Sequence, residues 1–338
     1  MKNKVFLGYF SLIAMLLLIM DPQTALNGAS QGIYQCITVI IPSLFPFFFL
    51  SSLLCSVLIG SRISFFQPVG KLLRLPAGSE SLFLLGLLGG YPVGAQAIST
   101  AWSGGELSTN DAKRMLGFCS NAGPSFIFGM AASLFESAVI PWLLWVIHIL
   151  SAIAVGLSIP GKSGSNISTK MHTTITLPAA LKKSITITAT VCGWVTIFRV
   201  LIAYFDKNFL TIFPPTAKAA IIGILELANG CIGLQQVPSS AVRFILCSIF
   251  LAFGGICVSL QTCSVVGKLG SGLYFPGKCL QTLVSFILSW IVSFFLFPQQ
   301  LNIHWCIPAL LLLIITTMLL IFHHKMRKRY GNYAGCDI

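Results

Sequence analysis

The chain has 338 residues, of which 56% are hydrophobic and 9% charged, with 21 Lys and Arg against 8 Asp and Glu; soluble domains carry roughly 25% charge, so a soluble fold is excluded. The net charge of +13 does not point to nucleic acid, because the basic residues sit at the ends of apolar runs and not in a basic, aromatic-bearing module. Eleven cysteines form no CxxC pair and no His-Cys cluster, and Cys36, Cys55, Cys192, Cys247 and Cys257 read as small residues of apolar runs, not as a metal or disulfide framework.

The expected class is an all-α polytopic membrane protein with a single membrane domain over 1–338. Lys2 and Lys4 precede the apolar run 5–20, and Asn27-Gly28-Ala29 follows it. This resembles a secretory signal, but the multispanning remainder favours an uncleaved first span with its amino terminus inside. The run 33–59 is long enough to cross the hydrocarbon core despite Pro42 and Pro46. Arg62, Lys71 and Arg74 follow it.

The run 82–100, LFLLGLLGGYPVGAQAIST, is interrupted at its centre by Gly89, Gly90, Tyr91, Pro92 and Gly94. Proline removes a helix hydrogen bond and clashes with the preceding turn, and paired glycines raise the cost of helix. Non-helical backbone survives at membrane depth only where protein covers it or a wet cavity meets it, so the break points to a site. A second interruption falls in FCSNAGPSFIFG, at Asn121, Gly123 and Pro124.

Lys113 and Arg114 open the run 115–135, and a further span covers 141–159. The stretch 160–183, with Lys162, Lys170, Lys182 and Lys183, is the longest hydrophilic one. The second half runs 184–205, 213–236 and 242–266; C-terminal spans follow over 279–323, and the tail 324–338 is basic.

Basic loops favour the cytoplasmic side. If 82–100 and 213–236 crossed fully, the loop 160–183 would lie outside. If each enters and leaves on one side, the loops 60–78, 160–183 and 267–278 and the tail all fall inside. The expected architecture is therefore about eight transmembrane helices plus two re-entrant broken-helix hairpins, with both termini cytoplasmic. The halves, about 33–136 and about 184–266, then form an inverted repeat. Gly86 matches Gly223, the break at 90–94 matches Asn229-Gly230, and Arg114 matches Arg243, at separations of roughly 130 to 137 residues. Many secondary transporters are built this way, with the substrate near the midplane.

Within the second hairpin, GILELANGCIGL places Glu226 in an apolar run, three residues before Asn229. An ionisable residue at membrane depth is costly and marks a site unless it is paired structurally. Its roles are uptake of a coupling proton or cation, or a hydrogen bond from substrate; the alternative is an interfacial or structural pairing with Arg199 or Arg243. Arg199 is a candidate counter-ion, anion ligand or snorkelling residue, and Arg243 reads as a span terminus. The glycine-rich breaks would offer backbone N–H groups that attract carboxylates and phosphates. FGGICVSLQT adds Gly254, Gly255, Gln261 and Thr262, and Tyr91 is suited to stack on a ring.

No Gly-Lys-Ser/Thr nucleotide loop, HExxH helix or paired membrane carboxylates occur, so the expectation is no enzyme, no cofactor and no metal site. His323 and His324 read as interfacial beside the tail, and Asn166-Ile167-Ser168 is uninformative in an inside loop.

Four stretches in order, IIPSLFPFFFLSSLL, GLLGGYPVGAQAIS, FCSNAGPSFIFG and GILELANG, resemble the sporulation integral membrane protein YlbJ family, whose members carry nucleoside-recognition (Gate) regions. The resemblance covers about 42–262. It implies a bacterial membrane protein of endospore formers, in the cell membrane or the membrane around the forespore, linked to moving dipicolinic acid into the developing spore. It makes Gly89, Gly90, Tyr91, Pro92, Gly94, Asn121, Gly123, Pro124, Glu226, Asn229 and Gly230 candidate solute contacts. A transporter of nucleosides or related metabolites is the alternative of the same architecture, and a non-transporting sporulation scaffold the alternative of another class. Expected partners are membrane lipids, a small anionic or nucleoside-like solute, and further copies or other sporulation membrane proteins; nucleic acid is not among them.

Overall fold

The computed structural model describes residues 2–58, 64–161 and 175–300. The part of the expected C-terminal spans beyond 300, with His323, His324 and the tail 324–338, lies outside the described residues, as do Asn166 with its motif, Arg62, Lys162 and Lys170. Every regular element among those described is a helix.

The first helix, α1, is Lys2–Met20. Asp21 then accepts the Thr24 N–H at 3.3 Å and its hydroxyl at 2.8 Å, capping α2 (Pro22–Gln35) with proline at its start. A π-helical turn, Cys36–Ile40, joins α2 to α3 (Ile41–Leu58). Pro42 cannot donate to the carbonyl four residues back, and the helix widens just before it. The sequence places the start of this span at 33, but the helix starts eleven residues earlier. Its polar first half is kept helical by packing: a Cβ on Gly28 would come 2.9 Å from Val200 Cα, and one on Gly32 2.8 Å from Thr196 Cα. These two glycines, four apart, let α2 lie directly against α10 (Leu177–Asn208).

After the short α4 (Gln67–Leu72), α5 (Glu80–Gly89) and α6 (Val93–Ser103) fold back on each other. Then come α7 (Thr109–Met115), an irregular stretch, α8 (Pro124–Gly129) with a 3-10 turn, and α9 (Val139–Ser158). The same succession follows α10. Helices α11 (Pro215–Leu225) and α12 (Leu227–Gly233) fold back on each other; α13 (Ser240–Phe253) and α14 (Gly255–Val266) form one interrupted helix, and α15 (Tyr274–Leu296) closes the series.

Both folded-back pairs cross at matched glycines. A Cβ on Gly94 would come 2.8 Å from Gly86 Cα, and one on Gly230 would press on Gly223 Cα. No other residue fits where two helices touch backbone to backbone.

Five helices among the described residues are long and apolar enough to cross a membrane: Pro22–Leu54, Val139–Ser158, Leu177–Asn208, Ser240–Leu269 and Tyr274–Leu296. Shorter apolar helices are Ser11–Met20, Glu80–Gly89, Pro124–Leu134 and Pro215–Leu225. With 10 and 11 residues, α5 and α11 rise only about 15–17 Å, roughly half a hydrocarbon core. Polarity is distributed accordingly. On α15, Lys278, Gln281, Ser285, Ser289 and Ser293 are buried, whereas Phe295 is 83% exposed.

The two arginines that the sequence pairs both tie an interrupted helix to backbone carbonyls. Arg114 donates to Leu73 at 2.6 Å, to Arg74 and Gly156 at 3.2 Å and to Ile159 at 3.0 Å; Arg243 donates to Leu134 at 3.1 Å.

Replacing Gly223 by Leu drives the new side chain into the Phe250 ring and costs at least about 1–3 kcal/mol, read as a lower melting temperature in detergent. Gly193→Ala, whose Cβ meets nothing within 4 Å, holds or raises that temperature, since alanine is about 1 kcal/mol the better helix former. Equal melting of Gly223→Leu and wild type contradicts the glycine crossing.

Candidate functional site

Each folded-back pair turns at a break, and each break crosses the interruption of the next helix. The α5–α6 turn passes through Gly90 at φ +73°, a conformation that favours glycine, and then through Tyr91 and Pro92, which share a cis peptide bond. A Cβ on Gly90 would come 2.9 Å from Gly123 N, and one on Gly123 2.9 Å from Gly90 Cα. The first tip therefore lies backbone to backbone on the α7–α8 interruption. The α11–α12 turn is a single extended residue, Glu226. A Cβ on Gly255 would come 3.3 Å from Gly223 O, Leu225 O and Leu227 N, so the second tip lies on the α13–α14 interruption in the same manner.

The freed backbone groups are taken up by buried polar side chains. Glu226 accepts the N–H groups of Ala228 at 3.0 Å and Asn229 at 2.7 Å, and the Asn229 side-chain amide at 2.7 Å. It is the N-cap of α12. His148 of α9 accepts the Ala122 N–H through Nε2 at 3.0 Å, which assigns the proton of the neutral ring to Nδ1. The Tyr91 hydroxyl lies 3.3 and 3.4 Å from the carbonyls of Leu251 and Ala252, at the end of α13.

A chain of hydrogen bonds runs on from Tyr91. Lys278 Nζ donates to the Tyr91 hydroxyl and to Gln281 Oε1, both at 2.7 Å, and stands 4.8 Å from the Tyr91 ring centroid. Gln281 Nε2 donates to Asn121 Oδ1 at 2.9 Å, and Asn121 Nδ2 donates to Phe118 O at 2.9 Å. Tyr91, Lys278, Gln281 and Asn121 thus link the first tip, the α7–α8 interruption and α15.

Between the two tips lies a cavity of about 50 Å³, room for a few water molecules. Gly90, Tyr91, Gly123, Glu226 and Gln261 meet it, and Leu44, Val191 and Val195 supply apolar wall from α3 and α10.

Of the sequence-derived candidates, Gly89, Gly90, Tyr91, Gly123 and Glu226 line this cavity. Asn121 and Asn229 brace the breaks, and Pro92 and Pro124 open α6 and α8. Gly94 and Gly230 serve the helix crossings instead. Arg199 is not the ion-pair partner of Glu226: its guanidinium donates to Gln31, on the face of α10 that meets α2. Ion pairs form elsewhere, between Lys207 and Asp21 and between Lys218 and Asp206.

Three participants escape the sequence reading. Lys278 falls there in the basic loop 267–278, but α15 begins at Tyr274 and carries it one turn inside, 1% exposed. The readable signal is a polar stripe at helical spacing, 278, 281, 285, 289 and 293, in an otherwise apolar run. Gln281 belongs to that stripe. His148, within VIHIL, carries no local mark of its role.

Compared with known proteins, the chain is similar to sporulation integral membrane protein YlbJ of Bacillus subtilis (strain 168), with 24% identity over 79% of this chain and 76% of the relative. This bears out the resemblance carried by the four motifs. No family model matches the chain, and no solved structure matches it significantly. Together with the long apolar helices, the likeness identifies an integral membrane protein.

His148→Leu strips the Ala122 N–H of its acceptor in a buried place, at a cost of about 1–3 kcal/mol. His148→Gln, which keeps an acceptor, recovers part of the loss. Thermal unfolding of the purified variants measures both, and a His148→Leu protein as stable as wild type contradicts the role given to this ring.

Proposed function

We propose that this protein is a transporter or channel that carries a small organic solute through the central cavity, and that the solute is dipicolinic acid moved into the developing spore. One observation carries the reading. Two helical hairpins, each crossed by an interrupted helix, bring their tips to a single cavity with irregular backbone on its walls. Broken helices around a central site are how secondary transporters hold substrate.

In this reading the halves 33–136 and 184–266 form an inverted repeat, and each hairpin enters and leaves on its own side. Support comes from the lengths of α5 and α11, each too short to cross alone, and from the glycine crossings at equivalent places in both halves. The role in sporulation follows the likeness to YlbJ; dipicolinic acid follows the family resemblance. A planar aromatic dicarboxylate suits a site with a tyrosine ring and amide-bearing side chains. The cavity does not admit such a molecule until the tips part. Gly90, Gly254 and Gly255, all at positive φ, supply backbone freedom at both crossings.

The test is uptake of radiolabelled dipicolinate by vesicles carrying the protein, with Glu226→Gln beside wild type at matched insertion. The amide turns one acceptor oxygen into a donor facing N–H groups, and uptake falls about tenfold, equivalent to ~1.4 kcal/mol in the barrier. Absence of uptake by well-inserted wild type contradicts the dipicolinate reading, and equal uptake by both proteins contradicts the site. Competition by nucleosides and not by dicarboxylates reassigns the solute.

A further inference from the structure

We infer that Lys278 binds the negative charge of a carboxylate-bearing solute and is uncovered to the cavity when Tyr91 moves aside. The inference deepens the transport reading above and rests on it for the solute's path. Lys278 is buried with two neutral partners, the Tyr91 hydroxyl and the Gln281 amide oxygen, plus the faces of Tyr91 and, at 6.0 Å, Tyr274. An ammonium in an apolar interior is costly unless it is paired, and no carboxylate is among the partners of Lys278. Its place in the second turn of α15, nearer the positive end, gains nothing from the helix dipole. A merely packed side chain there is better served by leucine or methionine.

The acid at the cavity does not use this charge. Both oxygens of Glu226 are already engaged by the Ala228 and Asn229 donors. The residues that line the cavity include no lysine or arginine, so a solute carboxylate there finds no cation on the wall itself. One side chain separates Lys278 from the cavity: Tyr91 lines the wall and its hydroxyl accepts from the ammonium. That side chain sits on the first tip, next to Gly90, and its contacts to Leu251 and Ala252 are long. Displacing it frees one ammonium N–H for a carboxylate oxygen, while Gln281, fixed by Asn121, keeps the lysine in place.

The experiment is calorimetric titration of the purified full chain in lipid nanodiscs with pyridine-2,6-dicarboxylate and with its uncharged dicarboxamide. Wild type binds the dicarboxylate at least about tenfold more tightly than the dicarboxamide. Lys278→Met loses that preference, and Lys278→Arg retains it. Wild type that binds both alike, or neither, overturns the inference without any variant having to fold; so does a folded Lys278→Met that keeps the preference. Dipicolinate flux is read separately. Undiminished flux in Lys278→Met sinks the lysine's role and leaves transport standing, whereas Lys278-dependent binding without flux in wild type sinks transport and leaves the anion site.

Discussion

A helix that breaks inside an apolar slab frees backbone N–H and C=O groups that lipid cannot pair, and among the described residues the breaks at Gly90, 116–123, Glu226 and Gly254 meet in two crossings. The centre of the protein is organised to settle those groups. Glu226 takes the amides at the start of α12, His148 takes the Ala122 amide, and the Tyr91 hydroxyl meets the carbonyls at the end of α13. Each partner comes from a different place in the chain. The helices around the breaks are therefore held together by polar contacts as well as by the apolar packing outside them, and loss of one contact leaves a buried group bare.

The breaks also let backbones approach more closely than side chains permit. Gly90 on Gly123 and Gly255 on the second tip make crossings without intervening side chains, and Gly86 with Gly94 and Gly223 with Gly230 do the same within each folded-back pair. Such contacts are firm in compression but carry no interdigitated side chains to resist sliding. A small cavity closed by two tips of this kind is suited to open by tip movement while the long helices α2–α3, α10 and α15 stay in place. The polar chain from Tyr91 to Asn121 then lies where movement of the first tip would be felt first.

What the sequence makes legible is local. Gly-Gly-Tyr-Pro and Asn-Ala-Gly-Pro announce their breaks because proline and glycine act on the backbone where they stand, and Glu226 draws notice as a charge inside an apolar run. Pairings across the chain leave no such mark. His148 and Ala122 are 26 positions apart, and Lys278 and Tyr91 are 187 apart. Lys278 is hidden by its neighbourhood: a lysine at the edge of an apolar run reads as a loop unless the helix start at Tyr274 is known. Arg199 misleads in the opposite sense. Its apolar surroundings suggest the interior, yet its side of α10 meets Gln31 on α2, whose helical start at Pro22 is set by a cap and two packed glycines and not by hydropathy.

The central claim is that the two hairpins approach the cavity from opposite sides of the membrane. Single cysteines at Ser103, at the exposed end of α6, and at Gln236, just beyond α12, test it most directly in a cysteine-free background. A membrane-impermeant thiol reagent is applied to intact cells and to inverted vesicles. The account predicts labelling of Ser103→Cys from the cytoplasmic side alone and of Gln236→Cys from the opposite side alone. Labelling of both from one side contradicts it.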